Sequence, residues 1–310
     1  MIHKEEKTVD SIYQEIEALK KEHNAVILAH YYVPEDVQAC ADYIGDSFYL
    51  SKVATRLEAD MIVFAGVAFM GESAKILNPS RTVLLPEPAA DCPMAHMADP
   101  AKIRAMREQY EDLAVVCYIN STAELKKYAD ICVTSANAVK IVRELPNKNI
   151  FFIPDENLGS YVAAQVPEKN IILNDGYCYV HKEVVPEQIL KVKELHPDAE
   201  VLVHPECPAA VLELADFVGS TSAIIQYASD SPKREFIIGT ENGVMYELRE
   251  KNPDKLFYPV AGGQSCAGMK SITLAKIRDC MKNHTGEVTV EEDLREEANR
   301  PLVHMLEASK

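Results

Sequence analysis

Short apolar runs rich in β-branched residues punctuate the chain: Val26–Ala29, Met61–Ala65, Ala114–Cys117, Ile150–Ile153, Val201–Val203 and Phe236–Ile238. Three further runs begin at Thr82, Asn170 and Lys255. Between them lie stretches whose apolar positions recur at helical spacing, such as Phe48–Glu58 and Ala138–Leu145. Runs of four or five predict buried strands, and their alternation with helical segments predicts an α/β protein with parallel sheets.

The pattern also repeats. Val26–Tyr32 is followed by Ala41–Ser47, Ala114–Asn120 by Ala129–Ser135, and Glu200–Glu206 by Ala215–Thr221. The polar residue ending each first strand (His30, Tyr118, His204) stands twelve residues before an aspartate (Asp42, Asp130, Asp216). A hydroxyl follows five residues later (Ser47, Ser135, Thr221). A second strand, a glycine (Gly71, Gly159, Gly243), a third strand and a cysteine (Cys92, Cys178, Cys266) complete each unit. Equivalent markers lie 84 to 88 residues apart. That period is too long for a solenoid repeat of ~20–50 residues. It predicts three homologous αβα domains, 1–92, 93–178 and 179–272, around a pseudo-threefold axis with a central active-site cavity. A helical tail, 273–310, is expected to pack on the first.

Composition narrows the function. The chain has 310 residues and a net charge of −16, which argues against general nucleic-acid binding and against docking on anionic membranes. Its longest strongly apolar stretch, 61–70, is half of the ~20 residues a span needs. The charged start MIHKEEKTVD does not read as a signal peptide. A cytoplasmic location is expected, where the eight cysteines stay reduced; no C-x-x-C occurs.

Ligands of open α/β sheets bind beyond the carboxyl ends of the strands. Those ends carry His30 with Tyr32, Tyr118 with Asn120, and His204 with Glu206. Residues i and i+2 share a strand face, so three such pairs in register point to one polar site. Ser47, Ser135 and Thr221 precede apolar helical stretches. There they serve as N-caps or, with the free N–H groups of helix starts, as anion binders. Of eight cysteines only Cys92, Cys178 and Cys266 share a repeat position. Three thiolates suit zinc, or a [4Fe–4S] cluster with one iron left open.

The motifs A-H-Y-Y (29–32), G-D-S (45–47), Y-x-N-S (118–121), T-S-A-N (134–137) and G-Y-C-Y-V-H (176–181) are joined by H-P-E-C (204–207), G-S-T-S (219–222), G-T-E-N-G (239–243) and C-A-G-M-K (266–270). Together they resemble the quinolinate synthase family, the A protein of de novo NAD biosynthesis, over essentially the whole chain. Tyr31 replaces a common Asn, and the C-x-x-C-x-x-C of some members near the third cysteine is absent, which removes any case for a regulatory disulfide there.

The resemblance implies that Cys92, Cys178 and Cys266 hold a [4Fe–4S] cluster acting as a Lewis acid without net redox change. The implied reaction condenses iminoaspartate with dihydroxyacetone phosphate to quinolinate, phosphate and water. Glu206 is implied as the general base or acid, with a pKa raised by its closed site. Tyr32, His30 and His204 are implied as its proton-transfer or orienting partners. Tyr118, Asn120, Ser135 and Ser47 would bind the dicarboxylate end, Ser220 and Thr221 an anionic group, and His181 would stand in the cavity. An L-aspartate oxidase or dehydrogenase would supply the imine. Two alternatives stay open: another three-cysteine [4Fe–4S] enzyme of the same plan, as in diphthamide or isoprenoid synthesis, and a non-enzymatic iron–sulfur sensor. The latter usually carries a recognition module, and no basic stripe or helix-turn-helix pattern is present.

Overall fold

The computed structural model describes residues 2–260 and 263–310. It is an α/β protein with three four-stranded parallel sheets. The first contains β1 (Ala25–His30), β2 (Tyr43–Gly45), β3 (Met61–Ala65) and β4 (Thr82–Leu84). The second contains β5 (Leu113–Tyr118), β6 (Ile131–Val133), β7 (Asn149–Ile153) and β8 (Asn170–Leu173). The third contains β9 (Glu200–Val203), β10 (Phe217–Val218), β11 (Glu235–Gly239) and β12 (Leu256–Pro259). Strand order is the same in each: β2-β1-β3-β4, β6-β5-β7-β8 and β10-β9-β11-β12.

The repeat holds at single-residue register. Leu28 pairs with Tyr43, Val116 with Ile131 and Leu202 with Phe217. Val26 pairs with Ile62, Ala114 with Ile150 and Glu200 with Phe236. Every residue of β3 and β5 is buried, as strands covered on both faces require. The edge strands β2, β6 and β10 were not anticipated. They span only two or three residues and lie inside the A-D-x-x-x-x-S/T segments, too short for an apolar run to announce them.

The repeated aspartates explain how such short edges hold. Asp42, Asp130 and Asp216 each accept the N–H of Ile27, Val115 and Val201 on a carboxylate oxygen, at 2.8, 2.7 and 2.8 Å. Each also donates its own N–H back to the carbonyl of that residue. The side chain thereby closes the ladder where the edge strand begins, and satisfies a donor that the short strand leaves open.

The chain divides into two compact units, Met1–Cys92 with Ala267–Glu292, and Pro93–Cys266 with Asp293–Lys310. The second holds both the second and the third sheet. The C-terminal tail divides between them. Helix Leu274–Asn283 packs against helix Ile2–Glu22 and β3 in the first unit. Helix Glu292–Ala308 instead lies against the second sheet: His304 Nδ1 meets the Asp130 carbonyl at 3.0 Å, and Asn137 donates to Ser309 Oγ at 3.1 Å. The helix buries Ala298, Pro301, Leu302 and Met305, and its last turns also meet polar groups around β6. Among the described residues no helix is long and apolar enough to cross a membrane.

Replacing Asp130 with Ala leaves the Val115 N–H unpaired and should cost about 1–3 kcal/mol of stability. Thermal or denaturant unfolding checks this.

Candidate functional site

Residues after the first strand of each sheet carry the expected polar pairs, but by a different route. β1, β5 and β9 end at His30, Tyr118 and Val203, so Tyr32, Asn120 and Glu206 lie in turns and not on the strand pleat. In two repeats the histidine ring shapes that turn. Tyr32 donates its backbone N–H to His30 Nδ1 at 3.2 Å, and Glu206 donates its own to His204 Nδ1 at 3.3 Å. An Nδ1 that accepts is unprotonated, which places the proton of each neutral ring on Nε2. His204 Nε2 therefore donates to Ser135 Oγ, 3.2 Å away.

Around Glu206 the second unit gathers a buried polar network. Glu206 Oε2 lies 2.7 Å from His181 Nδ1, and both side chains are at most 4% exposed. The Tyr118 hydroxyl is also hydrogen-bonded to Glu206. His181 Nδ1 lies 3.2 Å from Cys178 Sγ, and its Nε2 lies 2.9 Å from Thr240 Oγ1. The rings of His181 and His204 stack with centroids 4.7 Å apart. Donor atoms of Cys178, His181 and Glu206 all fall within 4.8 Å of one another, a set able to contribute to a metal centre.

The electrostatics reverse one expectation. Burial alone would raise the Glu206 pKa, as anticipated for a closed site. The His181 imidazole beside it and the hydrogen bonds from His181 and Tyr118 overcome it and hold the carboxyl below its usual range. Glu206 is thus an ionised acceptor at neutral pH. Burial, with His181 adding to it against the pull of Glu206, lowers His204 to about 3, so this ring is neutral.

Cysteine burial follows the repeat. Cys92, Cys178 and Cys266 are half-buried, while Cys40, Cys117, Cys132, Cys207 and Cys280 are buried, and none of the eight is in a disulfide. Cys207 belongs to the core under the third sheet, with Val201, Val203 and Val211. Burial pushes the Cys40 and Cys280 thiols up to about 12, which leaves them inert.

The hydroxyls divide. Helix caps are Asp46, whose carboxylate accepts from Tyr49 N at 2.9 Å, and Ser220, whose Oγ accepts from Ala223 N at 3.3 Å. Ser47 and Thr221 follow as first helical residues, and Ser135 stands two residues before the cap position, Asn137. The capping side chains at two of these helix starts are therefore those of Asp46 and Ser220, one residue before the repeat hydroxyls. Ser135 and Ser220 line one open cavity of about 560 Å³ with Tyr161, Gly219, Ser222 and Gln226. Thr221 is buried. The Asn120 Oδ1 atom is buried without a hydrogen-bond partner among the described residues.

Tyr118, Ser135, Cys178, His181, His204 and Glu206 thus come together within the second unit. His30, Tyr32, Ser47 and Cys92 belong to the first. There the His30 and Tyr32 rings meet edge-on at 4.5 Å, and Lys270 Nζ donates to the Tyr32 carbonyl at 2.6 Å. Cys92 sits in a loop against helix Ala267–Lys270. A Cβ on Gly268 would come within 2.6 Å of the Asp91 carbonyl, which explains the glycine of C-A-G-M-K. Sequence reading missed Thr240, although G-T-E-N-G contains it, and missed Asp155 and Glu241, both fully buried and hydrogen-bonded to the cysteine loops.

Comparison with known proteins agrees with this chemistry. Residues 14–307 match the family described as quinolinate synthetase A protein. A quinolinate synthase of Caldicellulosiruptor saccharolyticus is 51% identical over 301 residues, covering 97% of this chain and 99% of that protein. Those of Clostridioides difficile and Aquifex aeolicus are each 48% identical, over 96% and 97% of this chain and 97% and 95% of their own lengths. With matching of this extent at both ends of the fold, the chain belongs to the quinolinate synthetase A protein family.

Proposed function

We propose that the chain is a quinolinate synthase. It condenses iminoaspartate with dihydroxyacetone phosphate, expelling inorganic phosphate and two waters. Cys92, Cys178 and Cys266 hold a [4Fe–4S] cluster, and an L-aspartate oxidase or dehydrogenase of the cytoplasm supplies the imine. The observation that carries the reading is the Cys178–His181–Glu206 array, which sets a buried ionised carboxylate and imidazole beside one of the three half-buried repeat thiols.

The donor set fits the group. Three thiols share a repeat position and are half-buried, while the remaining five are sealed in core positions. When bound, the cluster supplies a Lewis acid through the iron that lacks a protein ligand. A water leaves as carbon or nitrogen gives up a proton and an oxygen gains one. Glu206, held ionised, accepts the carbon-bound proton. His181 Nδ1 and the Tyr118 hydroxyl hold the carboxylate in place and stabilise its charge. His204, neutral with its proton on Nε2, orients Ser135, which lines the cavity. Ser135 and Ser220 there, with Asn120, offer uncharged donors to the substrate carboxylates. His30, Tyr32, Ser47 and Thr221 complete the binding set on the pattern of the family.

Anaerobic reconstitution followed by a quinolinate assay tests the function. Cluster-loaded protein should form quinolinate from both substrates, and loaded protein without turnover would contradict the reading. Glu206→Gln should keep the iron and lose roughly 10²–10⁴-fold in rate; a rate within about twofold of the parent would make Glu206 a spectator.

The neutral His204 also makes stability depend on pH. Its folded pKa, about 3, lies below the ordinary 6.5. Between these values the unfolded chain binds a proton that the folded chain does not. The contribution is therefore complete above 6.5 and is lost as pH falls toward 3, by up to about 1.4 kcal/mol per pH unit. Denaturant midpoints of the iron-free protein from pH 7 to 4.5 should show this slope, and His204→Asn should flatten it. An unchanged slope would mean that His204 titrates normally.

A further inference from the structure

The three cysteine loops are anchored by the same backbone contact. The N–H groups of Ala68, Glu156 and Asn242 donate to the carbonyls of Ala90, Gly176 and Gln264, at 2.9, 2.8 and 2.9 Å. Each of these carbonyls lies two residues before a cysteine. The residues just before those donors, Val67, Asp155 and Glu241, therefore occupy one structural position at the end of the second strand of each sheet.

What fills that position differs. Asp155 and Glu241 are fully buried, and each carboxyl group bridges two backbone N–H groups; burial and the nearby Glu206 push the Asp155 carboxyl well above its usual range, against the pull of those N–H groups. Asp155 accepts from Leu158 at 2.6 Å on one oxygen and from Cys178 at 3.1 Å on the other. Glu241 accepts from Gly243 at 2.6 Å and from Cys266 at 3.0 Å. In the first repeat the position is the apolar Val67, and Cys92 takes its acceptor from its own neighbour, Asp91, at 2.8 Å. A buried carboxylate is costly, and a plain helix cap does not require one of full burial. Its occurrence twice at one position, each time gripping a cysteine N–H, points to a task at the cysteine.

We propose that Asp155 and Glu241 are positioning residues that tie Cys178 and Cys266 to the helix starts and so preset two thiolates for the cluster, a tie that the apolar Val67 does not supply to Cys92. The inference rests on the cluster reading given above. An amide cannot serve both N–H groups, because one of its two ends is itself a donor. Asp155→Asn or Glu241→Gln therefore frees one cysteine loop without changing side-chain size. Outer-shell partners of metal ligands typically shift metal affinity by about 10–100-fold.

The test is cluster release and not turnover. Parent, Asp155→Asn, Glu241→Gln and the control Asp130→Asn are reconstituted anaerobically to equal iron. They are then exposed to an iron(II) chelator, with release followed by cluster absorbance and chelated iron. Asp130→Asn weakens the same unit without touching a cysteine loop, so it separates general loosening from loop positioning. Release should quicken tenfold or more in Asp155→Asn and Glu241→Gln and stay parental in Asp130→Asn. Parental release from both loop variants would overturn the proposal, as would equal quickening in the control. Failure of both loop variants to fold without iron would overturn it too, because the carboxylates would then be scaffold first. A parent that takes up no cluster would instead contradict the reading beneath.

Discussion

A carboxylate clamped between a strand N–H and its own returning N–H recurs three times, at Asp42, Asp130 and Asp216, and the rest of the architecture depends on it. It stabilises edge strands of two or three residues that have too few ladder bonds to fix their own register. With the edge fixed, the turn after the first strand is fixed as well. Tyr31 N reaches the Gly45 carbonyl and Ile119 N that of Val133, so the polar pairs leave each first strand in a set direction. The candidate site residues Tyr32, Asn120 and Glu206 stand on those turns.

The chemistry concentrates where burial is most costly. Glu206, His181 and His204 are nearly inaccessible, and each is tolerated because its polar atoms are paired with one another, with Tyr118, with Ser135 or with Thr240. That mutual satisfaction decides the protonation states. A lone carboxyl at this depth would be neutral; one shared by His181 and Tyr118 is ionised. A lone histidine beside it is neutral because its desolvation exceeds the attraction of Glu206. Acceptor and donor are thus assigned by packing before any substrate arrives.

The α/β class, the threefold repeat and the three distinctive cysteines were legible because each rests on local pattern: apolar runs of four or five, a period near 87 residues and one cysteine per period. The edge strands were illegible because two or three residues carry no period. Ser47 and Thr221 read as caps because they precede helices by sequence, whereas Asp46 and Ser220, one residue earlier, do the capping. The lowered pKa of Glu206 was hidden for a deeper reason. Its burial follows from a strand end, but its partners His181 and Tyr118 come from other segments, and only the packed sheets bring them to it. Asp155 did leave a trace, as an acid just beyond an apolar run at the repeat position of Glu241. The trace becomes meaningful once the cysteine N–H groups are seen on both carboxylates.

The central claim is that one thiol per repeat, and no other, binds iron. Iron and sulfide counted per chain, after anaerobic reconstitution of eight single Cys→Ser variants, tests it most directly. The account predicts that the cluster is lost in Cys92→Ser, Cys178→Ser and Cys266→Ser and kept in the variants at 40, 117, 132, 207 and 280. A full cluster in Cys178→Ser, or its loss on replacing one of the five core cysteines in a folded protein, would contradict it.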